Sequence, residues 1–282
     1  MFVAELFRCL LNTFLSFGHS GSTLLSLILE QHQKTVSIGE FNNFSMKLSG
    51  LPSERKCSCG ETVADCLLWK DFYQASQENS SMGINDEYSL LLDSVNNNFS
   101  DETVIVDSSK IIKNVLHLQE LDDVDLRVIY LIKDVRSFLV STKRKALKRG
   151  EKFGLLQSLK HAFIWYRDNQ YSLNYLEKNR INHLKIGYEE LCLYPQEANE
   201  ALFDFLDLET IEMSKSIDNS QGHMLFGNRM RNDSRKNIEV KYDNVWFTDT
   251  LVNIIGAVLP KIANFNRKVT YSNKFDQIWR GK

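Results

Sequence analysis

An α/β fold built around a central parallel sheet is predicted by three observations. Short apolar runs of strand length alternate along the chain with helical segments. The run Val128–Ile132 is continuously apolar, as in a parallel strand buried on both faces. Two of the strands lead directly into small, hydroxylated or charged residues, at the carboxyl ends where open α/β sheets hold ligands.

Taken in order, Phe14–Phe17 reads as the first strand. A helix follows from Ser22 to about Gln31, with Leu24, Leu25, Ile28 and Leu29 on its core face. Residues 41–98 read as a polar, irregular insertion with helical pieces near Trp69–Gln77 and Glu87–Asn96. A strand at Thr103–Val106, a helix from Lys110 to about Leu121 and a strand at Leu126–Ile132 make a βαβ unit. The basic run Lys143–Arg149 reads as a solvated helix. A long helix spans Leu156–Asn179 and carries Trp165 and Asn169, and His183–Ile186 is a further short strand. With no internal repeat or low-complexity linker, residues 1–282 are expected to form one three-layer α/β sandwich domain.

The turn between the first strand and helix is the most informative segment. His19-Ser20-Gly21-Ser22-Thr23-Leu24 joins an apolar strand to a helix N-terminus. There, bare backbone N–H groups and the positive end of the helix dipole attract a phosphate. Gly21 allows the backbone to approach an anion, and Ser20, Ser22 and Thr23 add hydroxyl donors. A Walker loop needs a lysine where Ser22 stands, so the loop suits a nucleotide phosphate but lacks the γ-phosphate apparatus of ATP hydrolysis. The second anion candidate is Lys133-Asp134-Val135-Arg136 with Ser141, at the end of the Val128–Ile132 strand. A guanidinium and a hydroxyl are suitable donors for a second phosphate.

Composition narrows the classes. In 282 residues, 43% are hydrophobic, enough for a sizeable core, and a net charge of −2 gives no general attraction to nucleic acid or anionic membranes. No apolar run approaches the ~20 residues needed to span a bilayer, so no integral membrane segment is expected. Met1–Phe17 contains Glu5, lacks a basic leading region and runs into the phosphate loop, so it reads as the first strand rather than a leader, and a cytoplasmic location is expected. Of five cysteines, Cys57, Cys59 and Cys66 cluster before Trp69. Three thiols are open to pairing, metal ligation or packing as small hydrophobes. No fourth ligand stands nearby at zinc-finger spacing, so no residue is assigned to a metal.

The two anion segments together resemble the sulfotransferases that use 3′-phosphoadenylyl sulfate (PAPS), in particular their bacterial and carbohydrate-type branch with its P-loop-like fold. That family binds the 5′-phosphosulfate with a loop of the type Arg/Lys-Ser-Gly-Ser/Thr-Thr-Leu. It binds the 3′-phosphate with Arg-Asp-x-Arg and a serine five residues on. Here these stand as His19–Leu24 and Lys133-Asp134-Val135-Arg136…Ser141. Ser37-Ile38-Gly39-Glu40, Val106-Asp107-Ser108-Ser109-Lys110 and Ile186-Gly187-Tyr188-Glu189-Glu190-Leu191 with Pro195 fit the same pattern, and the resemblance spans roughly Thr13 to Trp246. Histidine replaces the usual cation at position 19, where an adjacent phosphosulfate favours its charged form. Lys133 replaces the first arginine. The Cys-x-Cys-Gly…Cys…Trp cluster also recurs in related bacterial sequences.

The resemblance implies transfer of a sulfuryl group from PAPS, as cosubstrate and with no metal required, to a hydroxyl or amine of a small molecule, sugar, lipid or peptide. It assigns His19, Ser20, Gly21, Ser22, Thr23 and Leu24 to the 5′ side of the donor, and Arg136 and Ser141 to the 3′-phosphate. Arg229, in the basic loop Gly227–Arg231, joins the 3′-phosphate set. Glu40 is the expected base, with Asp107 as runner-up, and Lys110 the cation for the bridging oxygen. Tyr188 and Glu189 are expected to fix the sheet edge. The 41–98 insertion is expected to carry acceptor specificity. Two other readings stay open: a module that binds the nucleotide without transfer, and a P-loop small-molecule kinase.

Overall fold

The computed structural model describes residues 9–16, 21–41, 51–78, 83–100, 102–110, 112–119, 124–212, 216–218, 222–226 and 237–270. The chain forms two compact units. The first takes in Met1–Leu15, Thr23–Val128 and Ser214–Glu239; the second takes in Ser16–Ser22, Ile129–Met213 and Val240–Lys282. The strands of the principal sheet are β1 (Cys9–Ser16), β2 (Thr35–Gly39), β3 (Val104–Asp107), β4 (Val124–Ile132) and β5 (His183–Gly187), in the order β2-β3-β1-β4-β5. The fold is α/β, as the sequence predicts.

In the first unit β3 runs parallel to both neighbours, with Thr13 of β1 and Gly39 of β2 each in register with Asp107. All of β2 and β3 is buried, which is why Val104-Ile105-Val106 shows no polar alternation. Helix α1 (Ser22–Leu29) follows β1, and Leu24, Leu25, Leu27, Ile28 and Leu29 are all buried. The helix is enclosed on more than the single face that periodicity implies. The β3–α4 connection keeps Lys110 outside the helix, and α4 spans Ile112–Gln119.

The described parts of the insertion carry the two helical pieces expected there, packed around a buried aromatic group. These pieces are α2 (Lys70–Glu78) and α3 (Ile84–Asn98), and Trp69, Phe72, Tyr88, Leu91 and Val95 pack with Phe41, Val36, Ile38 and Ile105 in one hydrophobic cluster. Phe41 and Tyr88 have ring centroids 4.6 Å apart, and Trp69 meets Phe72 edge-on at 6.0 Å, the tilted and edge geometries aromatic quadrupoles favour. A two-stranded antiparallel ribbon, β6 (Ser216–Asp218) with β7 (Asn237–Glu239), also belongs to this unit.

The second unit carries the buried end of β4 and helices α5 (Val135–Lys148), α6 (Leu155–Lys178), α7 (Tyr188–Leu193), α8 (Pro195–Phe205), α9 (Thr250–Val258) and α10 (Pro260–Thr270). A buried polar chain ties α6 to β4: the Tyr130 hydroxyl donates to Asn169 Oδ1 at 2.7 Å, and Trp165 Nε1 donates to the Lys133 carbonyl at 3.1 Å. Buried polar groups satisfied in this way fix one packing rather than add bulk stability. The basic run lies on α5, where Lys143 pairs with Asp249 and Arg144 with Asp243. Among the described residues no helix is long and apolar enough to cross a membrane.

Candidate active site

In the second unit the glycine of the expected phosphate loop has a left-handed backbone. Gly21 sits at φ +97°, and a Cβ there would lie 2.5 Å from Tyr188 Cδ2. Both the left-handed conformation and the lack of room restrict the position to glycine. Tyr188 begins α7, so the Tyr-Glu pattern supplies the wall against which the loop is folded. Lys133 Nζ lies 4.2 Å from the centre of the same ring, a cation–π contact, and 3.5 Å from Ser141 Oγ. Burial pulls the Lys133 ammonium below the usual lysine range.

Asp134 organises the next residues. It caps α5, its Oδ1 accepting from the Arg136 backbone N at 2.8 Å and from Arg136 Nε at 2.9 Å. Its Oδ2 accepts from Arg136 Nη2 at 2.7 Å and from Asn266 Nδ2 at 2.9 Å. The Arg136 guanidinium lies 3.8 Å over the Trp246 ring, while Gly256 leaves space for its stem: a Cβ there would meet Arg136 Cγ at 2.6 Å. Its side chain keeps 31% exposure, whereas Asp134 keeps 1%. Asp134 on one edge and the Trp246 ring on one face thus fix the orientation of the Arg136 guanidinium. The Ser141 hydroxyl donates to the Ser137 carbonyl at 2.9 Å, and the cation placed beside it is Lys133.

Glu189 is buried beneath this group and accepts from the Asp134 backbone N at 3.2 Å. Burial, and then the neighbouring Asp134 carboxylate, pushes its carboxyl up to about 8. It supports the Asp134 turn, in keeping with a structural role.

The first unit holds the candidate chemical residues. At the end of β2 the register shifts between Ser37 and Gly39, and Gly39 turns at φ +74°. A Cβ on Gly39 would come within 2.5 Å of the Phe226 carbonyl, and Glu40 N donates to that carbonyl at 3.4 Å. At the end of β3, Ser108 N donates to the Gly39 carbonyl at 2.8 Å, so the two strand ends are tied together. Glu40 and Lys110 leave these ends facing each other, Lys110 Nζ donating to Glu40 Oε1 at 2.7 Å, each side chain 23% exposed. Lys110 has φ +66°, a left-handed backbone uncommon for a side-chain-bearing residue.

Asp107, by contrast, has no exposure. Its Oδ2 accepts from the Tyr88 hydroxyl at 2.7 Å, and its Oδ1 from Ser109 N and Oγ. Burial holds its carboxyl above the usual range. It is a fixture of the strand end rather than a group facing an acceptor. Of the donor residues expected on the loop, Ser22 and Leu24 are buried and Thr23 half-buried, while His19, Ser20 and Arg229 lie outside the described residues.

The structure also brings together residues that spacing alone left apart. Cys57, Cys59 and Cys66 converge with His223, their ligand atoms all within 4.8 Å of one another, and these three cysteines are free thiols. His223 lies 157 residues beyond Cys66, and no local spacing rule reaches it.

Comparison with known proteins supports one family. A profile described as "Sulfotransferase family" matches residues 15–212. The fold is similar to the sulfotransferase domain from the Synechococcus PCC 7002 olefin synthase, at 17% identity and a TM-score of 0.57, over 93% of this chain and 95% of that one. It is also similar to the sulfotransferase domain from the curacin biosynthetic pathway, at 22% identity and a TM-score of 0.50, over 71% of this chain and 74% of that one. No curated protein matches by sequence. With the profile covering most of the chain and including Gly21, Glu40, Lys110 and Arg136, this protein belongs to the sulfotransferase family.

Proposed function

We propose that the protein transfers a sulfuryl group from PAPS to a hydroxyl or amine of a small-molecule, sugar, lipid or peptide acceptor. The carrying observation is the Glu40–Lys110 pair, a carboxylate and an ammonium 2.7 Å apart at the ends of two parallel strands. Sulfuryl transfer, like phosphoryl transfer, asks for positioning, charge stabilisation and activation of a weak nucleophile. In this reading the acceptor heteroatom attacks sulfur as the bond from sulfur to the bridging oxygen breaks. Glu40 takes the acceptor proton, and Lys110 offsets charge on the oxygen that leaves with 3′,5′-bisphosphoadenosine. Sulfate ester or sulfamate is the other product.

On the donor side, His19, Ser20, Gly21, Ser22, Thr23 and Leu24 take the 5′-phosphosulfate, and Arg136, Ser141 and Arg229 the 3′-phosphate. The Gly21 turn and the orientation of the partly exposed Arg136 guanidinium support this division. Lys133, whose Nζ lies 3.5 Å from Ser141 Oγ, is a further candidate cation for that phosphate.

The test is release of 3′,5′-bisphosphoadenosine from PAPS in the presence of candidate acceptors, in wild type and Glu40→Gln. A positioned base contributes about 10²–10⁴-fold, and a loss of that size with unchanged nucleotide affinity supports the assignment. Tight bisphosphate binding without transfer to any acceptor, including those in a host extract, would favour a binding module. Preference for ATP–Mg²⁺ would favour the kinase reading.

A further inference from the structure

We infer that Cys57, Cys59, Cys66 and His223 form a structural zinc site. Zinc with three thiolates and one imidazole is four-coordinate and tetrahedral, with Zn–S about 2.3 Å and Zn–N about 2.0–2.1 Å. Those lengths place two sulfurs about 3.8 Å apart and a sulfur and nitrogen about 3.5 Å apart. Cys59 Sγ and Cys66 Sγ are 3.8 Å apart, and Cys66 Sγ is 3.2 Å from His223 Nδ1. The sulfur separation is nearly twice the about 2.05 Å of a disulfide. Ligand atoms confined to 4.8 Å leave room for one ion and none for an iron–sulfur cluster.

The surrounding backbone is built to present these atoms. Gly60 at φ +98° closes a tight turn in which its N donates to the Cys57 carbonyl at 3.0 Å, while Cys57 N donates to the Glu61 carbonyl at 2.9 Å. Cys66 starts a helical turn that accepts from Trp69 N and Lys70 N. The fourth ligand comes from a segment pinned on both sides. His223 N donates to the Ser37 carbonyl at 3.1 Å and Trp69 Nε1 to the His223 carbonyl at 2.6 Å. Ser58 Oγ bridges the Gly222 carbonyl and Met224 N at 2.7 and 2.8 Å, and Ser58 N donates to the Met224 carbonyl at 3.1 Å. Cys57 and Cys66 are buried, and Cys59 and His223 half-buried, so the site is closed as a structural centre should be.

The segment so clipped continues to Phe226, whose carbonyl meets Gly39 and Glu40 N. The metal therefore supports the turn that presents Glu40, but it touches no reacting group. The site stands whether or not Glu40 is the base.

The test uses the full chain purified under reducing conditions without chelator. Elemental analysis is expected to find about one zinc per chain. Cobalt exchanged into the site should show the d–d and thiolate charge-transfer bands of a tetrahedral centre. His223→Ala should lose stoichiometric metal, and His223→Cys, which restores four ligands, should keep it. Should His223→Ala fail to fold, alkylation of the native wild type gives the same answer: Cys59, half-exposed, should be protected until a strong chelator is added. A folded protein that contains no zinc and takes up neither zinc nor cobalt would overturn the assignment. So would iron in place of zinc, a Cys59–Cys66 disulfide, or Cys59 alkylation indifferent to chelator.

Discussion

Lys110→Gly separates strain from function at one position. Lys110 occupies left-handed backbone at φ +66°, which costs a residue with a Cβ about 1–2 kcal/mol. Glycine removes that cost but adds about 0.4–1 kcal/mol through its freer unfolded state. Losing the partly exposed ion pair with Glu40 costs a further ~0.2–1 kcal/mol. These terms nearly cancel, so Lys110→Gly should unfold within about 1 kcal/mol of wild type. Lys110→Met keeps the strain and loses the pair, so it should be no more stable than Lys110→Gly. Turnover of PAPS should fall in both, by roughly 10²–10³-fold if the ammonium stabilises charge on the leaving oxygen. Chemical denaturation together with initial-rate kinetics reads both quantities. Lys110→Gly unfolding well below Lys110→Met would refute the strain argument, and unchanged turnover in both variants would remove Lys110 from the chemistry.

Further outcomes follow from the same geometry. Arg136→Ala should weaken 3′,5′-bisphosphoadenosine by about 1.5–3 kcal/mol, the worth of a charge-assisted contact, and leave AMP nearly unchanged by calorimetry. Gly21→Ala should lose donor binding and stability together, because its Cβ would strike Tyr188 at 2.5 Å; shortening the ring in Gly21→Ala/Tyr188→Leu should recover part of the stability and little of the affinity. Glu189, faced by Asp134 and Lys133, has its folded carboxyl raised from 4.5 to about 8. It therefore stays protonated in the native state where the unfolded chain has ionised, and stability should fall as pH rises through that window. Glu189→Gln should flatten that slope in melts across the range; an unchanged slope would place the titration elsewhere.

Much of the site was legible because parallel strands announce themselves. Val104-Ile105-Val106 and Val128–Ile132 are buried along continuous apolar runs, and the candidate residues follow just beyond them, at the carboxyl ends where α/β sheets hold ligands. Boundaries were harder. β1 starts at Cys9, five residues ahead of the apolar run at Phe14, because Asn12 and Thr13 break its hydrophobic pattern yet continue the ladder with β3. The helix expected from Lys110 starts at Ile112, since left-handed Lys110 cannot belong to it. Asp107 looked like a second base from its place at a strand end, but Tyr88, contributed by the insertion, reaches its carboxylate and seals it. The insertion itself read as irregular because its buried aromatics are scattered among polar residues rather than periodic. His223 was invisible for a different reason: only the fold brings it to the cysteines.

The central claim, a sulfotransferase that recognises its donor through two separate phosphates, is tested most directly by calorimetric titration of the wild type with 3′,5′-bisphosphoadenosine, AMP and ATP–Mg²⁺. A second charge-assisted phosphate contact should make the bisphosphate roughly ten- to hundredfold tighter than AMP, and tighter than ATP–Mg²⁺. Equal affinity for the bisphosphate and AMP, or a preference for ATP–Mg²⁺, would contradict it.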